Sequence, residues 1–398
     1  MEELKNRILQ LSRDYHREVI AWRRHIHAHP ELSKQEHETA AYVAARLDEF
    51  GIPYKKGIAG TGIMGIIEGR NPRKKTIALR GDMDALPIVE KNEVEYKSQN
   101  HGVMHACGHD VHTTSLLGTA KILNEIRNDF EGTVKLFFQP SEETYPGGAI
   151  GMIKEGVMEN PRPAHVFGQH VYPELDAGKI GLKSKEYMAS TDEIFLTVKG
   201  RGGHAAQPSR NIDPVVISAY IIVALQQIVS RHSSPDVPTV LSFGRIIGEG
   251  QTNIIPDEVK IAGTIRTFDE EWRSEAHRRI TRMAQSIAEG MGGSCEVFID
   301  PGYPFVYNDP QITVKTRQWA IEFLGRENVV DLPLRMTAED FAYFAKEAPS
   351  CFYRLGIRNE AKGITSSLHS STFDVDEKCL ETGMGLMAWI AVNALLDE

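Results

Sequence analysis

Thr76-Ile77-Ala78-Leu79, a helical pattern from Thr113 to Ile126, and then Thr133-Val134-Lys135-Leu136-Phe137-Phe138 form the stretch on which the fold turns. The two short, nearly apolar runs read as buried strands. Ile63–Ile67 ahead of them and Val166–Gln169 behind them are runs of the same kind. Strands alternating with a helix predict a mostly parallel sheet covered on both faces.

Towards the N-terminus, Leu4, Ile8, Leu11, Tyr15, Val19, Trp22 and Ile26 recur every three or four residues, which predicts an amphipathic helix ended by Pro30. A second helix is expected from Glu36 to Phe50, stopping at Gly51. The middle of the chain has a different rhythm. Glu193–Lys199 reads as a strand and Pro214–Ser230 as a helix with proline in its first turn. Strands Val240–Ile247 and Val259–Phe268, helix Glu271–Gly290 and strand Cys295–Ile299 follow. This β-α-β-β-α-β order is a ferredoxin-like unit that folds by itself. After Pro301 the first rhythm resumes, with helices near Thr313–Leu324 and Glu381–Leu396. The expectation is an α/β catalytic domain built from residues 1–185 and 300–398, interrupted by a lid domain at residues 186–299.

The chain of 398 residues is long enough for two domains. Hydrophobic residues at 41% and charged residues at 25% exclude a disordered chain. A net charge of −9 is a poor basis for a nucleic-acid partner, which needs a basic face. The longest nearly apolar run, Val215–Leu225, falls short of the ~20 residues that span a bilayer. Met1-Glu2-Glu3-Leu4-Lys5 is acidic where an export signal is basic. A soluble, cytoplasmic protein with no membrane partner is expected. Four cysteines make no disulfide framework; Cys295, Cys351 and Cys379 read as core thiols.

The fifteen histidines cluster, most densely in Met104-His105-Ala106-Cys107-Gly108-His109-Asp110-Val111-His112. Cys107 and His109 are two apart, so an extended backbone would point both the same way. Asp110 could cap the helix that follows. A thiolate beside an imidazole suits a borderline-soft divalent metal; the alternative is a core cysteine among surface histidines. Glu142 and Glu143 follow directly on an apolar strand, Phe137-Phe138-Gln139. Adjacent side chains diverge, so one carboxylate could bind metal while the other acts as a base; the alternative is a solvated strand end. His170 ends another apolar run, and His369 stands alone near the C-terminus. Asp82 and Asp84 alternate after the Thr76–Leu79 strand and could orient ligand histidines, or could simply form a turn.

Taken together, Arg80-Gly81-Asp82-Met83-Asp84-Ala85-Leu86-Pro87, Gly102-Val103-Met104-His105-Ala106-Cys107-Gly108-His109-Asp110 and Gln139-Pro140-Ser141-Glu142-Glu143 resemble the M20 family of metallopeptidases. The similarity is to its branch of aminoacylases, hippurate hydrolases, auxin-conjugate hydrolases and bacterial carboxypeptidases. His25-Ile26-His27-Ala28-His29-Pro30-Glu31-Leu32 and Gly202-Gly203-His204-Ala205 fit it as well. The resemblance implies a two-metal catalytic domain with an inserted lid. It implies Cys107, His109, Glu143, His170 and His369 as metal ligands, with Cys107 able to bridge, and Glu142 as the catalytic carboxylate. Asp84 joins the catalytic set. It further implies that His204 of the lid reaches the substrate oxyanion, often across a dimer interface, and that Asn253 and Arg266 contact the substrate carboxylate.

The implied reaction is metal-dependent hydrolysis of the amide bond of an N-acyl-L-amino acid or short peptide. Two divalent ions per chain are expected, zinc first, with manganese, cobalt or nickel as substitutes, and a homodimer or a tetramer of dimers. N-acetyl-diaminopimelate deacetylation is an alternative within the same chemistry. A thiol hydrolase using Cys107 as nucleophile and a catalytically inactive binding protein are alternatives outside it. Three places depart from the family pattern: Ser141 where relatives usually carry alanine, Met336-Thr337-Ala338 ahead of Glu339-Asp340-Phe341, and Ser370-Ser371 after His369.

Overall fold

Strands Thr76–Asp82 and Thr133–Gln139 are buried along their whole length. In a computed structural model that describes residues 1–397 they lie side by side and parallel, Leu79 opposite Leu136. Thr76–Asp82 also pairs in parallel with His165–Asp176, which pairs in parallel with Ser350–Arg358. These four strands are the middle of an eight-stranded sheet. Gly62–Glu68 and Tyr54–Ile58 extend one side in antiparallel fashion; Ile180–Leu182 and Val329–Asp331 extend the other. Strands covered on both faces need no polar alternation, which is why the central ones are contiguous apolar runs.

The first helix, Glu2–Ala28, buries its stripe of Ile8, Val19, Trp22 and Ile26. The second, His37–Phe50, stops where Gly51 turns left-handed at φ 68°. The last, Cys379–Leu396, is apolar on all sides because fourteen of its eighteen residues are buried. Glu2–Ala28, His109–Glu125 and Cys379–Leu396 pack on one another and share one core with the sheet. All of this belongs to a unit formed by Met1–Tyr187, Tyr307–Leu334 and the chain from Asp340 onward.

A second unit comprises Met188–Val306 and Arg335–Glu339. Its strands Asp192–Lys199, Val240–Ile247, Glu258–Arg266 and Ser294–Pro301 form an antiparallel sheet in the spatial order fourth, first, third, second. Along Asp192–Lys199 the side chains alternate: Ile194, Leu196 and Val198 are buried, Glu193 and Phe195 exposed. Helices Pro214–Leu225 and Glu270–Gly290 close the core through Ile217, Ile221, Ile280 and Ala284. The unit runs past residue 299 to Val306. It also takes in Arg335–Glu339, of which the apolar pattern gave no sign: the Ala189 N–H donates to the Arg335 carbonyl (3.0 Å) and Arg266 Nη1 to the Met336 carbonyl (3.0 Å).

Two sequence expectations are corrected. Strand Ser350–Arg358, central to the sheet, was not anticipated; Arg354 interrupts its apolar run yet is buried, its Nε donating to Tyr187 Oη at 2.8 Å. Stretches Pro214–His232 and Cys379–Leu396 are long and apolar enough, by composition, to cross a membrane. The latter is a core helix, and the former packs one face into the core of the second unit.

Candidate metal centre

The central strands carry chemistry at their ends, where open α/β sheets place their sites. Asp82 is the last residue of its strand and Asp84 lies two beyond; Gln139 ends the neighbouring strand, three residues before Glu142. His170 lies within His165–Asp176. His109 opens helix His109–Glu125, and Gly108 is its N-cap at φ 80°. A side chain at Gly108 would bring a Cβ within 2.4 Å of Val171 Cγ2. Cys107 and His109 therefore converge through a left-handed glycine turn, not through an extended backbone. Nor does Asp110 cap the helix: it is buried in the first turn, accepting from Arg23 Nε (2.7 Å) and His27 Nδ1 (2.8 Å). That ties the start of the helix to Glu2–Ala28.

Around this turn Cys107, His109, Glu142, Glu143, His170 and His369 come together. Cys107 Sγ lies 3.5 Å from His170 Nε2. His170 Nδ1 donates to the Val171 carbonyl at 2.8 Å, so the lone pair of Nε2 faces the sulfur. His109 Nδ1 donates to Asp84 Oδ1 at 3.2 Å. Its Nε2 is buried without a hydrogen-bond partner, 3.9 Å from Glu143 Oε1 and 4.0 Å from Glu142 Oε2. Glu143 Oε1 lies 3.3 Å from His369 Nε2. His369 reaches in from a distant loop, its backbone N–H bonded to the Ala106 carbonyl at 2.8 Å. Two triads of donor atoms result, Cys107/His109/His170 and Cys107/Glu143/His369, each within 4.8 Å, with Cys107 common to both.

The electrostatics call for a cation. Burial pushes the Cys107 thiol well up, and Glu143 and Glu142 push the same way. The thiol-hydrolase alternative leaves Glu142, Glu143, His170 and His369, which converge on the same turn, without a role. Burial alone would lower the pKa of His109, but Asp82 and Asp84 more than offset it and bring it up to about 10. A divalent ion bound there would supply the positive charge that this proton otherwise provides. The donor set of thiolate, imidazole and carboxylate fits a borderline-soft ion.

Behind the donors lies a buried network. Asp82 accepts from His112 Nδ1 (2.5 Å) and Arg80 Nη1 (2.6 Å), and Arg80 continues to Gln139 and Asp340. His112 Nε2 accepts the Val171 N–H at 2.9 Å, fixing the backbone beside His170. Burial would raise the pKa of Asp82, but Arg80, His109 and His112 hold it well below the usual carboxylate range. Sequence reasoning missed the roles of His112, Arg80 and Asp340. The signal for His112 was its place one turn after His109, on the same helix face.

His204, Asn253 and Arg266 belong to the second unit. His204 is exposed on the short strand Gly203–His204, paired with Ile254–Ile255, and the Ala205 N–H donates to the Asn253 carbonyl at 3.0 Å. His204 Nδ1 accepts the Ala206 N–H at 3.1 Å, so Nε2 carries the proton.

The sequence model of peptidase family M20/M25/M40 matches residues 78–393. The chain belongs to that family. Among M20 relatives, it is 44% identical over 307 residues to an N-acyl-L-amino acid amidohydrolase of Geobacillus stearothermophilus, covering 77% of this chain and 81% of the relative. It is 39% identical over 396 residues to thermostable carboxypeptidase 2 of Saccharolobus solfataricus, covering 99% and 98%. An M20 crystal structure from Bacillus subtilis, described as a dinuclear metal binding peptidase, superposes with a TM-score of 0.84 at 34% identity, covering 97% of this chain and 99% of that one. As a member of the M20 family, the protein is a metal-dependent hydrolase of amides and peptides.

Proposed function

We propose that the protein hydrolyses the amide bond of N-acyl-L-amino acids, or the C-terminal bond of short peptides. Cys107, His109, Glu143, His170 and His369 hold two divalent ions, zinc first and manganese, cobalt or nickel as substitutes. The observation that carries this reading is the pair of donor triads sharing Cys107, with the Glu142 carboxylate 4.0 Å from the orphaned Nε2 of His109. When bound, such ions polarise the scissile carbonyl and bring the pKa of a water towards ~7.

This chain's own residues do the rest. Glu142 takes the proton from the attacking water and hands it to the leaving nitrogen as the C–N bond breaks. Asp84 holds His109 by its Nδ1–H and the Glu142–Glu143 turn by its backbone N–H groups. The His204 Nε2–H donates to the carbonyl oxygen as it gains negative charge. Arg266 and Asn253 bind the carboxylate of the leaving amino acid, Arg266 by charge-assisted bonds.

The second unit acts as the lid and as a self-association surface. Its helix Pro214–Leu225 turns Val215, Val216, Tyr220 and Val223 outward to solvent, an apolar face that supports pairing with a second copy into a homodimer, or a tetramer of dimers. Four free thiols support a reducing, cytoplasmic setting.

The test is a hydrolysis screen of N-acetyl, N-benzoyl and dipeptide substrates with each metal added, on wild type and Glu142→Gln. The expected result is metal-dependent release of the amino acid, with Glu142→Gln keeping both ions and losing ~10²–10⁴ in turnover. Activity that survives complete chelation overturns the reading.

A further inference from the structure

We infer that Glu36 is a positioning residue for Glu142, acting through Ser141; this rests on Glu142 being the general base. Ser141 immediately precedes Glu142 and has φ 56°. Residues with a side chain enter this left-handed region at a cost and stay only where their surroundings hold them. Here the Ser141 carbonyl accepts the Gly148 N–H at 3.1 Å, and its N–H and hydroxyl are held by one short segment, Ser33–Glu36. Glu36 is fully buried. Its Oε1 accepts both the N–H (2.7 Å) and the hydroxyl (3.0 Å) of Ser141, and its Oε2 accepts the Thr61 hydroxyl (2.7 Å). The Lys34 N–H donates to Ser141 Oγ at 2.8 Å, with Lys34 itself at φ 68°.

The same segment grips the other side of the turn. The Ser33 hydroxyl donates to Asp84 Oδ2 at 2.6 Å. Asp84 accepts the N–H of Glu142 (3.0 Å) and of Glu143 (2.9 Å). The turn carrying Glu142 is thus fastened ahead of it by Glu36 and behind it by Asp84, and Ser33–Glu36 reaches both fasteners. A buried carboxylate is costly unless its oxygens are occupied, and those of Glu36 are spent on this turn and on Thr61. Alanine at position 141 keeps the N–H bond to Glu36 but loses both bonds of the hydroxyl, so Ser141 makes the grip tighter than the usual alanine would. Misplacing a reacting group by 1 Å costs ~10²-fold in rate, so a fastened turn has a direct kinetic value.

The experiment measures kcat, KM, bound metal and the pH profile of kcat for Glu36→Ala, Glu36→Gln, Ser141→Gly and Glu142→Gln. Glu36→Ala is expected to lower kcat ~10-fold or more, with KM within ~2-fold, both ions retained and the acidic limb of the profile displaced. Glu36→Gln keeps an oxygen acceptor for the Ser141 N–H and restores most of kcat. Ser141→Gly loses the hydroxyl and relieves the constrained φ; it shows the same displacement more mildly and decides the matter if Glu36→Ala does not fold. A folded, metal-replete Glu36→Ala or Ser141→Gly whose acidic limb is unmoved overturns the inference, because loss of active protein only scales kcat. Glu142→Gln separates the two readings: wild-type turnover there refutes the general base and the inference with it. Loss there, with the Glu36 and Ser141 variants behaving as wild type, refutes only the positioning role.

Discussion

Asp192 in the second unit and Asp84 in the first are both buried carboxylates, compensated in opposite ways. Asp192 accepts from Arg273 Nη2 (2.6 Å), His277 Nε2 (2.9 Å) and the Gly302 N–H (3.2 Å). Its charge is answered within the protein. Around Asp84, the carboxylates of Asp82, Glu142 and Glu143 and the thiol of Cys107 gather about His109, while Arg80 is shared between Asp82 and Asp340. Here several carboxylates share one guanidinium and the neighbouring imidazoles. A balanced buried charge holds a fold together; an unbalanced cluster of donors is a place for a cation.

The strongest way to break this contrast is to remove the atom common to both triads. Cys107→Ala should lose most of the bound metal and essentially all turnover, read by metal analysis and by the hydrolysis assay; two ions per chain in that variant would defeat the shared-ligand role. The converse experiment is on the balanced side. Asp192→Asn leaves the buried Arg273 with Glu270 (3.0 Å) as its remaining carboxylate among the described residues and should cost ~1–3 kcal/mol in denaturant unfolding, with metal content unchanged.

That variant also has a pH signature. Burial alone would raise the pKa of Asp192, but His277 and Arg273 hold it below its ordinary value. The stability it contributes is therefore complete above the unfolded value of ~3.9 and lost as pH falls through the lower folded value. Wild type should lose stability over that acid window, and Asp192→Asn should lose less. Equal slopes would mean that Asp192 is not held ionised by its partners.

Smaller effects sharpen the comparison. His204→Ala should lower turnover ~10²-fold with both ions retained, as loss of one oxyanion donor does; a near-wild-type rate would remove the second unit from the chemistry. Gly108→Ala should cost ~1–3 kcal/mol and weaken metal binding, since φ 80° and the contact with Val171 both resist a side chain. Unchanged metal affinity there would show that the glycine turn does not set the donor spacing.

Much of this architecture is legible in the chain. Thr76–Leu79 and Thr133–Phe138 declare themselves because burial on both faces leaves them continuously apolar, and Leu4 to Ile26 because one stripe faces the core. The convergence of Cys107, His109, Glu142, Glu143, His170 and His369 was suggested by the joint motifs, although each alone admits a bland reading. Three features escaped because nothing in the apolar pattern marks a buried polar side chain. Arg354 breaks the apolar run of a central strand. Glu36 reads only as the start of a helix and is fully buried. His112 sits in a histidine-rich patch, and only the fold shows that it spans Asp82 and the Val171 N–H.

The position of strand Ser350–Arg358 has a consequence for how the chain is made. Its partner His165–Asp176 lies about 180 residues earlier, and its register begins with Ser350 opposite Val166. Synthesis is directional, so the His170 strand leaves the ribosome long before the strand that covers that edge. Until then, one margin of the half-built sheet stands with unpaired amides and carbonyls and without the helix Cys379–Leu396 that packs against it. Nascent chains in that state attract other strands. The window closes only when the last tenth of the polypeptide has emerged, and a chain truncated before residue 350 never leaves it.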